Sequence, residues 1–181
     1  RTLEDLPASA KTVLVRADYN VAIWEGKITD DSRIRESLPT LKWLLELGKR
    51  VVVATHLGRP GGKVVEELRV DPVAGRLAEL LERPVCLIRE KPGKETVRQL
   101  KATAPGELVL LENLRFYPEE EANEERFAES LASSADAFVN EAFSVSHRAH
   151  ASVVGVTKFL PAFAGLHFAE EVPRLTRIRE V

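Results

Sequence analysis

Cationic and imidazole side chains collect in a few short segments of this 181-residue chain. Most of these segments follow a run of apolar, often β-branched residues that is typical of a strand, and one lies at the start of the first predicted helix. The residues concerned are Arg33, Arg35, His56, Arg59, Arg115, His147, Arg148 and His150. Guanidinium groups bind phosphate and carboxylate through paired hydrogen bonds and keep their charge at any working pH. Several of them in one crevice would repel one another without an anion, so the pattern indicates a site for a small, multiply charged anion.

Taken one at a time, these residues have simpler interpretations. A single arginine is more often half of a surface ion pair. Asp18 and Asn20, which follow the first apolar run, are also residue types that favour turns. The glycines at positions 58, 61 and 62 could serve loop flexibility alone. The functional interpretation therefore rests on the joint pattern at four predicted strand ends.

Three other chemistries fit the sequence less well. The spacing of His147 and His150 would suit a metal on a helix face, but no cysteine or carboxylate set completes such a site, so we expect no metal. No G-x-S-x-G segment supplies a serine nucleophile. Neither G-x-x-x-x-G-K-[ST] nor G-x-G-x-x-G follows a predicted strand. The sequence therefore contains no recognisable loop for nucleotide phosphates.

The elements that must position these side chains alternate along the chain. Five strands are predicted, at 12–17, 50–55, 84–88, 107–112 and 136–140. Helices are predicted at 33–47 (capped by Asp31 and Ser32, with Pro39 inside), 71–81, 94–102, 123–132 and 152–159, and from 166 onward. This alternation predicts an α/β fold, a doubly wound, Rossmann-like parallel sheet with helices on both faces, in a single domain. Ligands of such sheets bind beyond the carboxyl ends of the strands, where the cationic segments lie.

Composition narrows the possible partners. The net charge of −2 and a pI near 6.2 argue against nonspecific binding to nucleic acid or membranes. No run approaches the length of a membrane span. The lone Cys86 cannot form an internal disulfide, which favours a reducing, cytoplasmic location, and we expect it to be packed in the core. The acidic run 119–121 is expected to be a solvated helix entrance.

Five ordered motifs add a more specific identification. They lie at residues 15–21, 26–34, 56–60, 111–116 and 138–143, the last leading into 147–152. Together they resemble the N-terminal domain of the phosphoglycerate kinase family, over nearly the whole chain. The resemblance implies reversible phosphoryl transfer in glycolysis between ATP and 3-phosphoglycerate, which forms ADP and 1,3-bisphosphoglycerate. It also implies a monomer that closes about a hinge, with Mg-ATP or Mg-ADP held by a separate C-terminal domain and no cofactor bound by this part.

The resemblance also assigns roles to individual residues. Asp18 and Asn20 match positions that contact the hydroxyl and carboxylate end of the glycerate. The cluster that grips the substrate phosphate corresponds to His56, Arg59, Arg115 and Arg148. Arg33 matches the arginine that also reaches the transferring phosphoryl group, which makes it the expected catalytic member of the substrate site.

The sequence departs from the family pattern at several positions. Tyr19 and Ala22 stand where the family usually has phenylalanine and proline, and Glu141 stands where it has aspartate. Ser144 begins a Ser-Val-Ser segment in place of Gly-Thr-Ala and could stiffen its loop. None of these departures removes a cationic residue, so they bear on the hinge more than on the anion site.

The chain starts at Arg1 without any methionine and ends in a charged helical pattern. We therefore expect a fragment, with residues 1–165 as the substrate-binding domain and 166–181 as the start of an interdomain helix. Such a fragment is expected to be inactive alone. Two alternatives stay open from the residues: a non-catalytic domain that binds small anions, and a truncated piece whose intact site has no role.

Overall fold

A single parallel sheet organises the chain, as a computed structural model of residues 1–179 shows. The main-sheet strands are β1 (Thr12–Arg16), β4 (Arg50–Ala54), β5 (Val85–Ile88), β6 (Leu108–Leu111), β7 (Ala137–Asn140) and β8 (Ala162–Ala164), and a small antiparallel hairpin joins β2 (Ile23–Trp24) to β3 (Lys27–Ile28). The order across the sheet is β5-β6-β4-β1-β7-β8, and each neighbouring pair is parallel. Strand β1 is central, so chain segments from both halves of the sequence meet at its carboxyl end.

Helices cover both faces of this sheet. They are α1 (Ser32–Glu46), α2 (Asp71–Leu81), α3 (Lys94–Ala102), α4 (Pro118–Glu121), α5 (Glu125–Ala132) and α6 (Leu166–Arg179). Alternate residues of β1 point to opposite faces. Val13 packs with α1 and α2 in one apolar cluster, whereas Leu14 packs with α3 and α5 in the other. The predicted α/β class, with a doubly wound parallel sheet in one domain, is confirmed.

Three local predictions from the sequence are wrong. The segment 152–159 forms turns and a 3₁₀ helix (Gly155–Lys158) instead of an α-helix. A sixth strand, β8, lies at the sheet edge where no strand was predicted, because its three residues are too few to show an alternating pattern. The N-cap position of α1 is Asp31, but its side chain makes no capping bond and instead pairs with Arg35 and Arg76.

Two predictions about burial are also wrong. Cys86 is exposed on β5, which is an edge strand of the sheet. In the acidic run, Glu119, Glu120 and Glu121 belong to the short helix α4, and Glu120 is only 1% exposed. Its burial follows from a buried cation nearby, which is described below. Within residues 1–179, no helix is both long and apolar enough to cross a membrane.

The turn between β8 and α6 leaves little room for a side chain at residue 165, where the carboxylate of Glu141 lies. A Cβ at Gly165 would lie 1.5 Å from Glu141 Oε2, whereas a Cβ at Gly75 in the middle of α2 would meet nothing within 4 Å. We expect Gly165→Ala to lower the free energy of unfolding by about 1–3 kcal/mol through overpacking. Gly75→Ala should raise it by about 0.5–1 kcal/mol, since alanine is the better helix former. Urea unfolding of both variants measures the difference, and a stabilised Gly165→Ala would contradict the predicted collision.

Candidate functional site

The carboxyl end of β1 presents a carboxylate to two partners from other segments. Asp18 Oδ2 lies 2.5 Å from Arg33 Nη1 at the start of α1 and accepts a hydrogen bond of 2.5 Å from the Ser144 hydroxyl. Ser144 belongs to the loop after β7, so its hydroxyl links two strand ends. The Arg33 side chain is 45% exposed. The Asp18–Arg33 pair lines a cleft of about 290 Å³ that also reaches Glu141 and His167.

Asn20 and Arg115 connect the loop that follows β4 to the ends of β1 and β6. Asn20 Oδ1 accepts a hydrogen bond of 2.8 Å from the Gly58 N–H, which leaves the Asn20 amide nitrogen available as a donor. Arg115 Nη1 donates to the Gly58 carbonyl at 2.9 Å. Gly58 has a φ of +62°, a left-handed conformation that favours glycine. The loop after β4 is therefore held by both neighbouring strand ends.

A buried amide explains why these two loops keep their relative position. Asn113 is fully buried after β6, and its Oδ1 accepts hydrogen bonds from the backbone N–H groups of Leu57 (3.2 Å) and Arg115 (3.1 Å). Its Nδ2 donates to the carbonyls of Leu57 (2.7 Å) and Leu68 (2.9 Å). The side chain thus makes four hydrogen bonds and joins the loops that carry His56 and Arg115.

One arginine of the site has an unused donor. The Nε atom of Arg148 is buried without a hydrogen-bond partner, whereas Arg115 Nε makes no hydrogen bond but lies 3.4 Å from Glu121 Oε1 in an ion pair. Burial lowers the pKa of Arg115, and the positive charges of Arg148 and Arg59 lower it further, although Glu121 opposes them. A buried donor without a partner, close to a second arginine, is costly, and an anion bound there would remove the cost. This arrangement suits a bound oxyanion.

His56 contributes a neutral group to the site. Its side chain is 2% exposed, and burial lowers its pKa to about 2, helped by the charges of Arg16, Arg115 and Arg148. The imidazole is therefore uncharged at neutral pH. It can donate one N–H to an anion but adds no positive charge, so the arginines supply the field.

Behind these groups lies a buried network that the sequence interpretation did not include. Arg16, the last residue of β1, is 1% exposed, and its Nε donates to Ser152 Oγ at 2.8 Å. The Ser152 N–H donates to Glu120 Oε2 at 3.0 Å, and the Ser152 hydroxyl donates to Glu120 Oε1. His150 Nδ1 lies 3.9 Å from Glu120. An arginine closing an otherwise apolar strand is the signal in the sequence that could have revealed this network.

The remaining residues that the sequence predicts for the site lie outside its buried part. Arg59 is exposed on the loop after β4, near enough to affect Arg115. His147 is exposed, and residues 147–150 form a turn region, so the helix face assumed for a histidine metal pair does not exist. Arg35 pairs with Asp31 instead of joining the site. Among residues 1–179, no group of three or more histidines, cysteines and carboxylates could hold a metal ion.

Two of the departures from the family pattern make specific contacts. The Tyr19 hydroxyl is buried but lies 2.7 Å from Ser37 Oγ, so the extra polar atom is hydrogen-bonded. Glu141 reaches the start of α6, where its Oε1 accepts a hydrogen bond of 3.1 Å from the His167 N–H. Thr40 Oγ accepts from the Leu166 N–H at 2.8 Å beside it. Glu141 thereby connects the end of β7 to the first turn of α6.

Glu141 predicts a pH dependence of stability. Burial raises its pKa from 4.5 to about 7, although the His167 N–H and Thr40 oppose the shift. Between pH 4.5 and about pH 7, Glu141 is protonated in the native state and ionised in the unfolded state. Its contribution to stability is therefore complete below pH 4.5 and is lost as the pH rises through about 7. Glu141→Gln should remove that dependence, and its free energy of unfolding should exceed that of the original chain by up to about 3 kcal/mol above neutral pH.

Urea unfolding at about pH 5 and about pH 8 tests this expectation, because that interval covers most of the range over which the protonation of Glu141 differs between the two states. Glu129→Gln on the exposed face of α5 is the matched control and should show the same pH dependence as the original chain. An equal pH dependence in Glu141→Gln and the original chain would contradict the predicted role.

Comparison with known proteins shows the family to which the chain belongs. The phosphoglycerate kinase family model matches residues 3–181. The phosphoglycerate kinases of Moorella thermoacetica and Thermomicrobium roseum are 52% and 50% identical over 174 and 178 residues, which are 96% and 98% of this chain and 44% and 45% of theirs. The chain therefore spans less than half the length of these relatives.

Solved structures agree with the sequence comparison. The phosphoglycerate kinase structure from Coxiella burnetii has a TM-score of 0.87 at 38% identity, over 98% of this chain and 44% of that one. The structure from Pyrococcus horikoshii OT3 has a TM-score of 0.88 at 34% identity, over 97% and 45%. Since the family model, the curated relatives and the solved structures agree over nearly all of the chain, it belongs to the phosphoglycerate kinase family.

Proposed function

We propose that this chain supplies the 3-phosphoglycerate site of a phosphoglycerate kinase, which transfers a phosphoryl group reversibly between ATP and 3-phosphoglycerate. The products in one direction are ADP and 1,3-bisphosphoglycerate. The observation that carries the proposal is the buried, unpartnered Nε atom of Arg148, close enough to the buried Arg115 for their charges to interact, within a chain that matches this family. Both arginines lie at strand ends of one parallel sheet, where ligands of such folds bind.

The two ends of the substrate meet different groups in this proposal. Asp18 accepts the glycerate hydroxyl, and the free amide nitrogen of Asn20 donates to the carboxylate end. Arg115 and Arg148 grip the phosphate from the buried side, with Arg59 added from the solvent side. His56 donates a neutral N–H. The Ser144 hydroxyl, which donates to Asp18 in the free chain, competes with the substrate hydroxyl for the same oxygen.

Arg33 is the proposed catalytic residue. It is held by Asp18 and is partly exposed, so it can turn toward a phosphoryl group that arrives from the solvent side. Phosphoryl transfer spreads negative charge over the equatorial oxygens, and a positioned cation stabilises that charge. The attacking carboxylate of the substrate is already ionised, so the step needs no general base.

The nucleotide requires residues other than these. The described residues offer no carboxylate cluster for Mg²⁺, and the sequence has no glycine-rich phosphate loop, so Mg-ATP does not fit this part and no step is assigned to it here. The relatives are more than twice as long as this chain. We place the nucleotide in the part of such proteins that this chain does not match, with residues 1–165 as the substrate domain and the helix from Leu166 as the link about which the two close.

Isothermal titration calorimetry with 3-phosphoglycerate tests the proposed site. We expect saturable binding that exceeds the binding of inorganic phosphate and of glycerate, because the site contacts both ends of the substrate. Equal binding of phosphate and 3-phosphoglycerate would instead indicate a general anion site, and no binding of either would reject the proposal. The chain alone should not hydrolyse or transfer phosphate from ATP, and measurable ATP turnover by the pure chain would contradict the proposed division of roles.

Cytoplasmic location and a monomeric state also belong to the proposal. The lone Cys86 supports the first, since it leaves no internal disulfide to form. Sedimentation of the purified chain measures the second.

A further inference from the structure

The buried guanidinium of Arg16 uses all three of its nitrogens. Its Nε donates to Ser152 Oγ at 2.8 Å, its Nη1 donates to the Ala17 carbonyl, and its Nη2 lies 3.1 Å from Nδ1 of His56. Arg16 is the last residue of β1, and His56 follows β4, the neighbouring strand. The arginine therefore contacts a residue of the candidate substrate site without belonging to the site itself.

The contact between Arg16 and His56 has only one consistent assignment of protons. A guanidinium has donors and no acceptor, so His56 Nδ1 must accept the hydrogen bond and cannot carry a proton. The ring then carries its single proton on Nε2. A second proton is opposed by the groups that face the ring, since Arg16, Arg115 and Arg148 are positive and His150 adds to the same effect.

Ser152 and Glu120 continue the hydrogen-bonded chain behind Arg16. Ser152 Oγ accepts from Arg16 Nε, so the hydroxyl proton of Ser152 is directed to Glu120 Oε1. Glu120 is buried in α4 and also accepts from the Ser152 N–H at 3.0 Å. These hydrogen bonds fix the orientation of the Arg16 guanidinium, in which Nη2 faces Nδ1 of His56.

We propose that Arg16 is a positioning residue that holds His56 in the neutral form with the proton on Nε2, so that the ring offers an N–H donor to the bound anion. The opposite tautomer would place a lone pair on Nε2, which would repel a phosphate or carboxylate oxygen. The value of this arrangement rests on the proposed 3-phosphoglycerate site. The tautomer itself exists in the ligand-free chain and can be measured there.

Long-range ¹H–¹⁵N correlation NMR of the uniformly labelled, ligand-free chain identifies which nitrogen of His56 is protonated. We expect a protonated Nε2 and an unprotonated Nδ1, unchanged from about pH 5 to about pH 8. A proton on Nδ1, or titration of the ring in this range, would overturn the proposal. This readout is independent of 3-phosphoglycerate, so a correct tautomer without substrate binding would count against the proposed function only.

Variants at Arg16 test the cause of the tautomer. Arg16→Met removes the donor at similar length, and the His56 nitrogens should then show mixed tautomers, with affinity for 3-phosphoglycerate reduced about tenfold. Arg16→Lys keeps a donor and should restore the Nε2–H form in part. An unchanged pure Nε2–H tautomer in folded Arg16→Met would overturn the proposal.

Variants at His56 give a second test that does not depend on an altered Arg16. The amide nitrogen of glutamine can occupy the place of Nε2, whereas the shorter asparagine reaches only the place of Nδ1. Calorimetry should find that His56→Gln binds 3-phosphoglycerate more tightly than His56→Asn and His56→Ala. Equal affinities in all three would contradict a donor at Nε2.

Discussion

Replacing Arg148 by alanine is expected to weaken the binding of 3-phosphoglycerate by roughly 100-fold. Arg148 Nε is buried without a partner in the free chain, so an anion can take this donor without breaking a hydrogen bond to it. A hydrogen bond between charged groups contributes about 1.5–3 kcal/mol, and about 2.7 kcal/mol corresponds to 100-fold in affinity. Arg148 is a cleaner choice than Arg115, which also holds the Gly58 carbonyl.

The free energy of unfolding of Arg148→Ala distinguishes a lost contact to the substrate from a general loss of structure. Removing one of several like charges should leave the free energy of unfolding of Arg148→Ala unchanged or slightly higher, because Arg148 disfavours the charged form of Arg115. Calorimetry and urea unfolding on the same variant measure the two quantities.

Two further variants complete this experiment. Arg98→Ala is the matched control, since Arg98 lies on α3 with its side chain 74% exposed and pairs with Glu95. Arg59→Ala should weaken binding less than Arg148→Ala, because Arg59 is exposed to solvent. Unchanged affinity in both Arg59→Ala and Arg148→Ala would reject the proposed cluster.

The largest loss of stability is expected from Glu120→Ala, at about 3–5 kcal/mol. Burial raises the pKa of Glu120 and lowers that of Arg16, while the attraction between their charges opposes both shifts. Removing the carboxylate takes away the larger of the two attractions on the buried Arg16 charge, leaving that of Asp18, and it leaves the Ser152 N–H without its acceptor. Breaking a buried charge pair in this way typically costs this much. Urea unfolding at neutral pH measures the change.

The neighbouring residue supplies the control. Glu119 lies in the same short helix and pairs with Lys91, but its side chain is 32% exposed. Glu119→Ala should therefore cost about 1 kcal/mol or less. Glu120→Gln should fall between the two, because the amide oxygen can still accept from Ser152. Similar small losses in all three variants would show that the buried network does not stabilise the fold as argued.

The alternation of apolar strands and amphipathic helices was sufficient to predict the fold class. Central strands such as β1 and β4 are buried on both faces and read as continuous apolar runs, so their limits were found to within a residue. Short edge elements were not found, since β8 and the β2–β3 hairpin contain too few residues for a periodic signal. The helix predicted at 152–159 failed because the segment contains Gly155 and several β-branched residues, which are poor helix formers.

The sequence by itself also determined which residue types gather at the strand ends, because parallel strands that alternate with helices all bring their carboxyl ends to the same edge of the sheet. The charge states and pairings of those residues depend on burial, which no local pattern reports. Only the tertiary structure decided that His56 is neutral, that Arg33 is held by Asp18, and that Arg35 lies outside the site. It alone linked Glu120, from an acidic run, to the buried Arg16, because the two residues are distant in sequence and are joined through Ser152, which is hydrogen-bonded to both.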